Sequence, residues 1–480
     1  MKIQLGVFFG GKSTEHEISI ISAVQAMLAI NRDKYDVIPL YITKDNRFYT
    51  GEALLTIENY KDIPALLTKC ERVTLVGEGD VAGIYRFPPK ALGKNRIWQI
   101  DVAFPIVHGT NTEDGTLAGY IEMLNIPYVG CDVTASALGM DKYAMKAIFK
   151  DNGIPVLDCR RYTTADYADP DRTIADIEAA FGYPVIVKPA NLGSSIGISV
   201  AADRTALAKS LDTAFFFAQV VLVERAIVHL REINCAVLGD RFAAEASECE
   251  EPVAADEILS FENKYIDNAK GGKSSGMASV KRKIPAEIPD ALREAIRETA
   301  VKAFRVLGCS GVSRIDFMID CDENKVYLNE INTIPGSLSF YLWEPLGVSY
   351  TALLERMISL GMKRHRERAA LTYSFDSNVL SGIHLGGAKG TKVCIENDAG
   401  IFPRRKIPPF PFQSSFKEIK TKCQVMRLGF LHAICACGAR YEPVARDMSL
   451  WRAIGQRHDM SADADATGMD AVSRSACLLR

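Results

Sequence analysis

The sequence predicts an α/β protein of several domains, and three observations carry that prediction. Short apolar runs alternate with helix-like segments through the first 140 residues, the mark of a parallel α/β sheet. The alternation resumes from residue 141. Near 311–332 two apolar runs flank a turn rich in Asp and Asn, which reads as a hairpin. A chain of 480 residues exceeds one ordinary core, and its length argues for about three domains.

Taken in order, the N-terminal part (1–140) offers strands IQLGVFF, YDVIPLYI, QIDVAFPIV and PYVG, with a helix at ISAVQAMLAI. A central part (141–231) opens with the helix DKYAMKAIFKDNG and continues through strands PVIVKP, GISVA and VVLVERAI. A third part (232–392) holds EINCAVLG, the helix ALREAIRETAVKAFRVLG and the strand pair RIDFMID and KVYLNEIN. Its polar Gly/Ser-rich insert at 263–278 cannot pack a core and is placed to act as a lid. From 393 to 480 the chain is proline-rich, aperiodic and poor in anything to bury, as a shifted reading frame would be. No ordered structure or function is expected there.

Composition excludes several classes. Hydrophobic content of 48%, 24% charged residues and a net charge of −2 give no global attraction to nucleic acid or to an anionic membrane. MKRHRER at 362–368 reads as a solvated helix face. No apolar run approaches the ~18 residues of a membrane helix. MKIQLGVFF lacks a basic leader and cleavage site, so a cytoplasmic protein is expected. Twelve cysteines without C-x-x-C pairs read as reduced thiols, and CAC at 435–437 with His432 is at best a weak metal signal.

The stretch 6-GVFFGGKS-13 fits the P-loop pattern letter for letter. Its context does not. The strand runs through Gly6, leaving only Gly10–Thr14 as loop, and Glu15 and Glu17 follow, where anions would repel phosphate but could receive an ammonium. A better phosphate cradle is FGYPVIVKPANLGSSIGI, in which Lys188 ends an apolar strand before a Gly/Ser loop; an ordinary strand and turn is the competing reading. Lys142, at a helix start, could add a second cation. In VVLVERAIVHLREIN, Glu224 and Glu232 suit an adenine amino group and ribose hydroxyls, with backbone near Arg225 and Ile227 at the purine edge. Salt bridges to Arg225 and Arg231 would explain the same acids. In the hairpin, alternation puts Arg314 and Asp316 on one face, and Leu328, Glu330 and Asn332 on one face of the partner strand. Pairing then gathers Asp316, Glu330 and Asn332 as hard oxygen donors for Mg²⁺, with Arg314 able to stabilise developing negative charge.

The set MDK, VIVKP with GSSIG, VERAI, RIDFMID and NEINTIPG, in this order, resembles the ATP-grasp superfamily. GGKSTEHEIS and HGTNTEDGTLAGYIE make the chain similar to the D-alanine:D-alanine ligase family, over roughly residues 1–392. The resemblance implies a three-domain ATP-grasp architecture and ATP contacts at Lys142, Lys188, Ser195, Glu224, Arg225, Ile227 and Glu232. It implies metal ligands (Mg²⁺ or Mn²⁺) at Asp316, Glu330 and Asn332. Glu15 matches the glutamate that holds the first D-alanine's ammonium, Ser194 the serine linking it to the lid, and His108 the histidine near that substrate. Arg314 with the Gly336 N–H matches the oxyanion-stabilising pair, and a homodimer is implied as well. The implied reaction is attack of the first D-alanine carboxylate on ATP, giving D-alanyl phosphate, then attack of a second D-alanine amine on the acyl carbon. Departures fall near the second substrate. The lid has no second tyrosine after Lys264 and Tyr265, and GSLSFYLWEPLG places Tyr341 and Trp343 where many members have smaller polar groups. D-serine or D-lactate therefore stays open as second substrate. From other classes, a P-loop NTPase would need Lys12 at the phosphates, and an inactive ATP-binding module would bind without turnover.

Overall fold

The computed structural model describes residues 2–79, 81–252 and 282–374. The expected lid at 263–278, the segment from 393 onward, and the CAC motif with His432 lie outside them.

Three sheets organise the described chain. The first begins with β1 (Ile3–Gly10), α1 (His16–Ala29) and β2 (Tyr35–Ile42), a parallel crossover in which Leu5, Val7 and Phe9 bury against Ala23 and Met27 of the helix. β3 (Phe48–Thr50), α2 (Ile63–Thr68), β4 (Glu71–Glu78), β5 (Val81–Arg86) and β6 (Arg96–Ile100) follow, and β7 (Val102–Pro105) returns to lie parallel beside β1. The order is β6-β5-β4-β3-β2-β1-β7. Only β2, β1 and β7 are mutually parallel; the rest is an antiparallel extension absent from the sequence reading. QIDVAFPIV is two strands, broken at Asp101, whose carboxylate accepts from the Gln4 N–H at 2.8 Å. Asp101 alone separates β6 from β7, the strands at the two ends of the order. PYVG contributes a single bridge, Tyr128 to Ala103. Ile20 and Val24 continue the buried face of α1.

Helices α3 (Thr116–Met123), α4 (Val133–Met140) and α5 (Lys142–Asp151) lead to the second sheet. Asp141 caps α5, its Oδ1 accepting from the N–H groups of Tyr143 and Ala144, so Lys142 stands on the first turn. The second sheet, ordered β10-β9-β11-β8, contains β8 (Cys159–Thr163), β9 (Val185–Pro189), β10 (Ser199–Ala201) and β11 (Val220–Arg225). Helices α6 (Pro170–Phe181) and α7 (Arg204–Phe217) cover it through Ile177, Leu207 and Leu211.

The third sheet, β14-β13-β12-β15-β16, is antiparallel throughout. It contains β12 (Leu230–Gly239), β13 (Ala244–Pro252), β14 (Arg282–Lys283), β15 (Gly311–Asp320) and β16 (Lys325–Asn332), with α8 (Asp290–Val306) packed on one face through Ile296, Ala300 and Phe304. The hairpin forms as read, with one correction. A bulge sets Phe317 opposite Leu328 and Asp316 opposite Glu330, skipping Asn329. Leu328 therefore turns into the core with Phe317 and Ile331, while Asn329 joins Glu330 on the cavity side.

Helix α9 (Tyr350–Ala369) ends the described chain. MKRHRER is not wholly solvated: Arg364 donates to the Tyr128 carbonyl at 2.9 Å, Lys363 to Asp240 at 2.6 Å, and Arg368 pairs with Glu122 at 2.7 Å.

Candidate active site

One cavity is lined by strands of the second and third sheets and, from the N-terminal part, by Glu15 and Ile18 at α1 and by His108 and Glu113 in the loop after β7. At its N-terminal wall, Glu15 precedes α1 and is buried, and its Oε1 accepts a short bond from the Ser194 hydroxyl. Gly109 and Gly193 flank the carboxylate. A β-carbon at either would stand 2.8 and 2.7 Å from Glu15 Oε2, so only glycine permits this approach. Ser194 and Ser195 hold φ of 53° and 59°, the left-handed region that L-residues occupy at an energetic cost. Lys12 is exposed and absent from the lining, so the P-loop match has no phosphate cradle behind it. Glu17 pairs with Lys44 at 2.7 Å.

His108 lies beside this wall, buried, between the Ile334 carbonyl (Nδ1, 2.8 Å) and the Ser22 hydroxyl (Nε2, 2.9 Å). Burial pulls its pKa down to about 4, so the ring is neutral. A carbonyl only accepts, so Nδ1 carries the proton and Nε2 accepts from Ser22, whose oxygen in turn accepts from the Ser337 N–H at 2.9 Å. That bond anchors the turn after Gly336, where Ser337, Leu338 and Ser339 all have positive φ. Gln25 takes the Ser337 hydroxyl at 2.8 Å. One helix, α1, thus carries Glu15 at its start and pins the Gly336 turn with Ser22 and Gln25.

Lys142 and Lys188 both reach the cavity and both are buried. Lys142 Nζ donates to the Leu192 carbonyl at 2.6 Å and stands 3.5 Å from Glu330. Lys188 Nζ donates to Glu224 at 2.9 Å and to Asn329 at 3.1 Å. Glu224 itself does not line the cavity. It is fully buried, with Lys146 at 2.7 Å on its other oxygen. Burial alone would raise its carboxyl, but Lys188 and Lys146 outweigh that and hold it down at about 2. Its ion pairs make it the charged support of Lys188, a lysine that reaches the cavity. The Arg225 side chain pairs with Asp320 (2.8 Å) and Glu323 (3.2 Å), which concerns its guanidinium and not the backbone expected at the purine edge near Arg225 and Ile227. Arg231 pairs with Glu251, so neither proposed arginine partner of the two acids is realised. Glu232 and Ser195 do line the cavity, between walls that include Ile186 of β9 and Met318 of β15.

The hairpin supplies the remaining wall. Arg314 grips Asp316 through two bonds of 2.7 Å, and Asn332 Nδ2 donates to the same carboxylate at 3.1 Å. Asp316, Glu330 and Asn332 are brought together as read. Among the described residues no three His, Cys, Asp or Glu side chains cluster as a metal cage. Two carboxylates and an amide fit an ion shared with nucleotide phosphates, since Mg²⁺ favours a few protein oxygens completed by phosphate and water. Tyr341 stands behind the lining: its hydroxyl donates to Glu250 at 3.2 Å and the Arg282 guanidinium lies 4.0 Å over its ring.

Two cavity acids were not singled out in the sequence. Glu113 accepts from the N–H groups of Gly109 (3.0 Å) and Ile334 (3.1 Å), and burial reinforced by nearby Glu15 pushes its pKa up to about 8. Glu250, on β13, accepts from Asn234 at 3.0 Å. HGTNTEDG contained the first signal, since an acid beside a predicted substrate histidine can share its pocket; the second depends on cross-strand register alone.

Two family models match, D-ala D-ala ligase N-terminus over residues 4–131 and D-ala D-ala ligase C-terminus over 148–359. A D-alanine--D-alanine ligase of Thermosipho melanesiensis is 40% identical over 378 residues, 79% of this chain and 98% of the relative. The solved D-alanine-D-alanine ligase of Coxiella burnetii matches with TM-score 0.63 and 30% identity, over 77% of this chain and 96% of that one. VanG D-Ala:D-Ser ligase of Enterococcus faecalis matches with TM-score 0.63 and 31% identity, over 75% and 100%. These likenesses establish that the chain has the ATP-grasp fold and belongs to the D-alanine–D-alanine ligase family.

Proposed function

We propose that this chain joins two D-alanines into D-alanyl-D-alanine through D-alanyl phosphate, converting ATP to ADP and phosphate, and so supplies a peptidoglycan precursor in the cytoplasm. One observation carries the reading: a glycine-flanked carboxylate suited to an ammonium shares a single cavity with two buried lysines and an oxygen-donor set suited to phosphate.

Glu15, steered by Ser194, receives the ammonium of the first D-alanine, with neutral His108 beside it. Lys142, Lys188 and Ser195 bind the ATP phosphates, Ile186 and Met318 wall the purine, and Glu232 takes ribose hydroxyls. Asp316, Glu330 and Asn332 would hold Mg²⁺ or Mn²⁺, which neutralises phosphate charge when bound. The D-alanine carboxylate oxygen bonds to the γ-phosphorus as ADP leaves. The amine of the second D-alanine, having lost a proton, then bonds to the acyl carbon as phosphate leaves. Arg314 and the Gly336 N–H hold the tetrahedral oxyanion that forms when the amine adds to the acyl carbon and that collapses as phosphate leaves.

The likeness to a D-Ala:D-Ser ligase favours one further reading, a mixed ligase using D-serine or D-lactate second. Phosphate release with Mg²⁺, ATP and D-alanine alone, then with each second acid, separates the two when products are identified by mass. D-Alanyl-D-alanine from D-alanine alone is expected; release only with a second acid would replace it with the mixed reading. Glu15→Gln should weaken D-alanine use while sparing ATP affinity, and equal loss of both would sink the ammonium role. The homodimer is proposed from the family resemblance and is checked by light scattering.

A further inference from the structure

Register across the third sheet sets four polar residues in one row. Glu250 of β13 pairs with Asn234 of β12, Asn234 with Asp316 of β15, and Asp316 with Glu330 of β16. All four line the cavity. Each acid in the row has its own cation: Lys142 stands 3.5 Å from Glu330, Arg314 binds Asp316 at 2.7 Å, and Arg282 binds Glu250 at 3.1 Å. Lys142 and Arg314 already serve the phosphates and the oxyanion. The Arg282 pair is left over.

That pair is built with care. Glu250 accepts from both Asn234 Nδ2 (3.0 Å) and the Tyr341 hydroxyl (3.2 Å), and the Tyr341 ring lies under the guanidinium. The two side chains are only 11% and 3% exposed. Burying such a pair is often no better for stability than packing apolar side chains of similar volume, so its place on a cavity wall calls for a reason beyond stability. The row also has a direction. Its Lys142 end faces the phosphates, Arg314 marks the acyl centre, and Arg282 lies at the opposite end. An amine that reaches the acyl centre from the side away from the nucleotide brings its own carboxylate, and among the described residues Arg282 is the cation at that end of the row.

We propose that Arg282, oriented by Glu250 and Tyr341, receives the carboxylate of the second D-amino acid and sets the demand for a free α-carboxylate in that substrate. This assignment rests on the ligase reading above. Tyr341 then acts through Arg282, as a positioning residue.

The test uses the full chain with Mg²⁺ and ATP. Hydroxylamine traps D-alanyl phosphate as a hydroxamate without a second amino acid, whereas peptide formation needs one, and D-alaninamide can be offered in place of the second D-alanine. Arg282→Gln should raise the KM for the second D-alanine about ten-fold or more, the scale of a lost charge-assisted hydrogen bond. The preference for D-alanine over D-alaninamide should fall by the same factor, and the KM for ATP should move less than about two-fold on that scale. Arg282→Lys should recover part of the preference, and Tyr341→Phe should erode it less than Arg282→Gln does. An unchanged preference in Arg282→Gln, or equal loss of hydroxamate and peptide, would overturn the proposal. No D-alanine-dependent hydroxamate from the unaltered protein would overturn the ligase reading, and this assignment with it.

Discussion

Glu224 and Glu113 are both buried carboxyls of the same residue type, one on β11 between Lys146 of α5 and Lys188 of β9 and one in the loop before α3, and burial with their neighbours shifts them in opposite directions. Desolvation works against the charge in both places. At Glu224 two ammonium groups within 3 Å overcome it, and the carboxyl is held at about 2. At Glu113 the charged neighbour acting on it is another acid, Glu15, and the backbone donors only partly offset burial, leaving about 8. Burial fixes how much an ionic imbalance matters; the neighbours fix its sign. The functional contrast follows. Around Glu224 the charges of Lys146 and Lys188 offset its own, a footing for Lys188, whereas Glu113 is raised by burial and by its neighbour Glu15.

The comparison breaks most visibly at Glu224. Glu224→Gln leaves Lys146 and Lys188 buried without their counter-charge, and a stability loss of about 3–5 kcal/mol is expected in urea unfolding, with ATP affinity falling alongside. Loss of ATP affinity without loss of stability would mean that Glu224 touches nucleotide after all.

The pH dependence sharpens the same contrast, since the two groups act in separate windows. Glu113's folded pKa lies above its ordinary 4.5, so the unfolded chain ionises first and stability falls as pH rises from about 4.5 to about 8. Its share has a slope of at most about 1.4 kcal/mol per pH unit. Glu224's folded pKa lies below 4.5, so its contribution is intact above that value and disappears as pH falls toward about 2. Glu113→Gln should flatten the upper window and leave the lower one, measured by unfolding at a series of pH values. A slope that survives the substitution would assign it elsewhere.

The smallest effect is expected outside both clusters. Lys12→Ala should change ATP affinity and stability by less than about 0.5 kcal/mol, as for an exposed side chain, whereas Lys188→Ala should abolish measurable nucleotide binding. The reverse result would restore the P-loop.

How much was legible in the sequence depended on distance along the chain. The strands Ile3–Gly10 and Tyr35–Ile42, the helices α1, α5 and α8, and the hairpin announced themselves because apolar periodicity and turn chemistry are local. So did the suitability of Glu15 for an ammonium and of Lys188 for a strand-end cation, since each needed only its own neighbours in the chain. Four things were decided by the tertiary structure alone. The antiparallel extension β3 to β6 depends on which edges meet. The bulge at Asn329 reverses the face of Leu328 and adds an amide to Lys188. The ion pair that Glu224 makes with Lys146 depends on a helix far from it in sequence. The row from Glu250 through Asn234 and Asp316 to Glu330 exists only once four strands are in register. Residue type and local spacing determine what a side chain can do, but solvent access and counter-charge, which decide what it does, are properties of segments that meet only on folding.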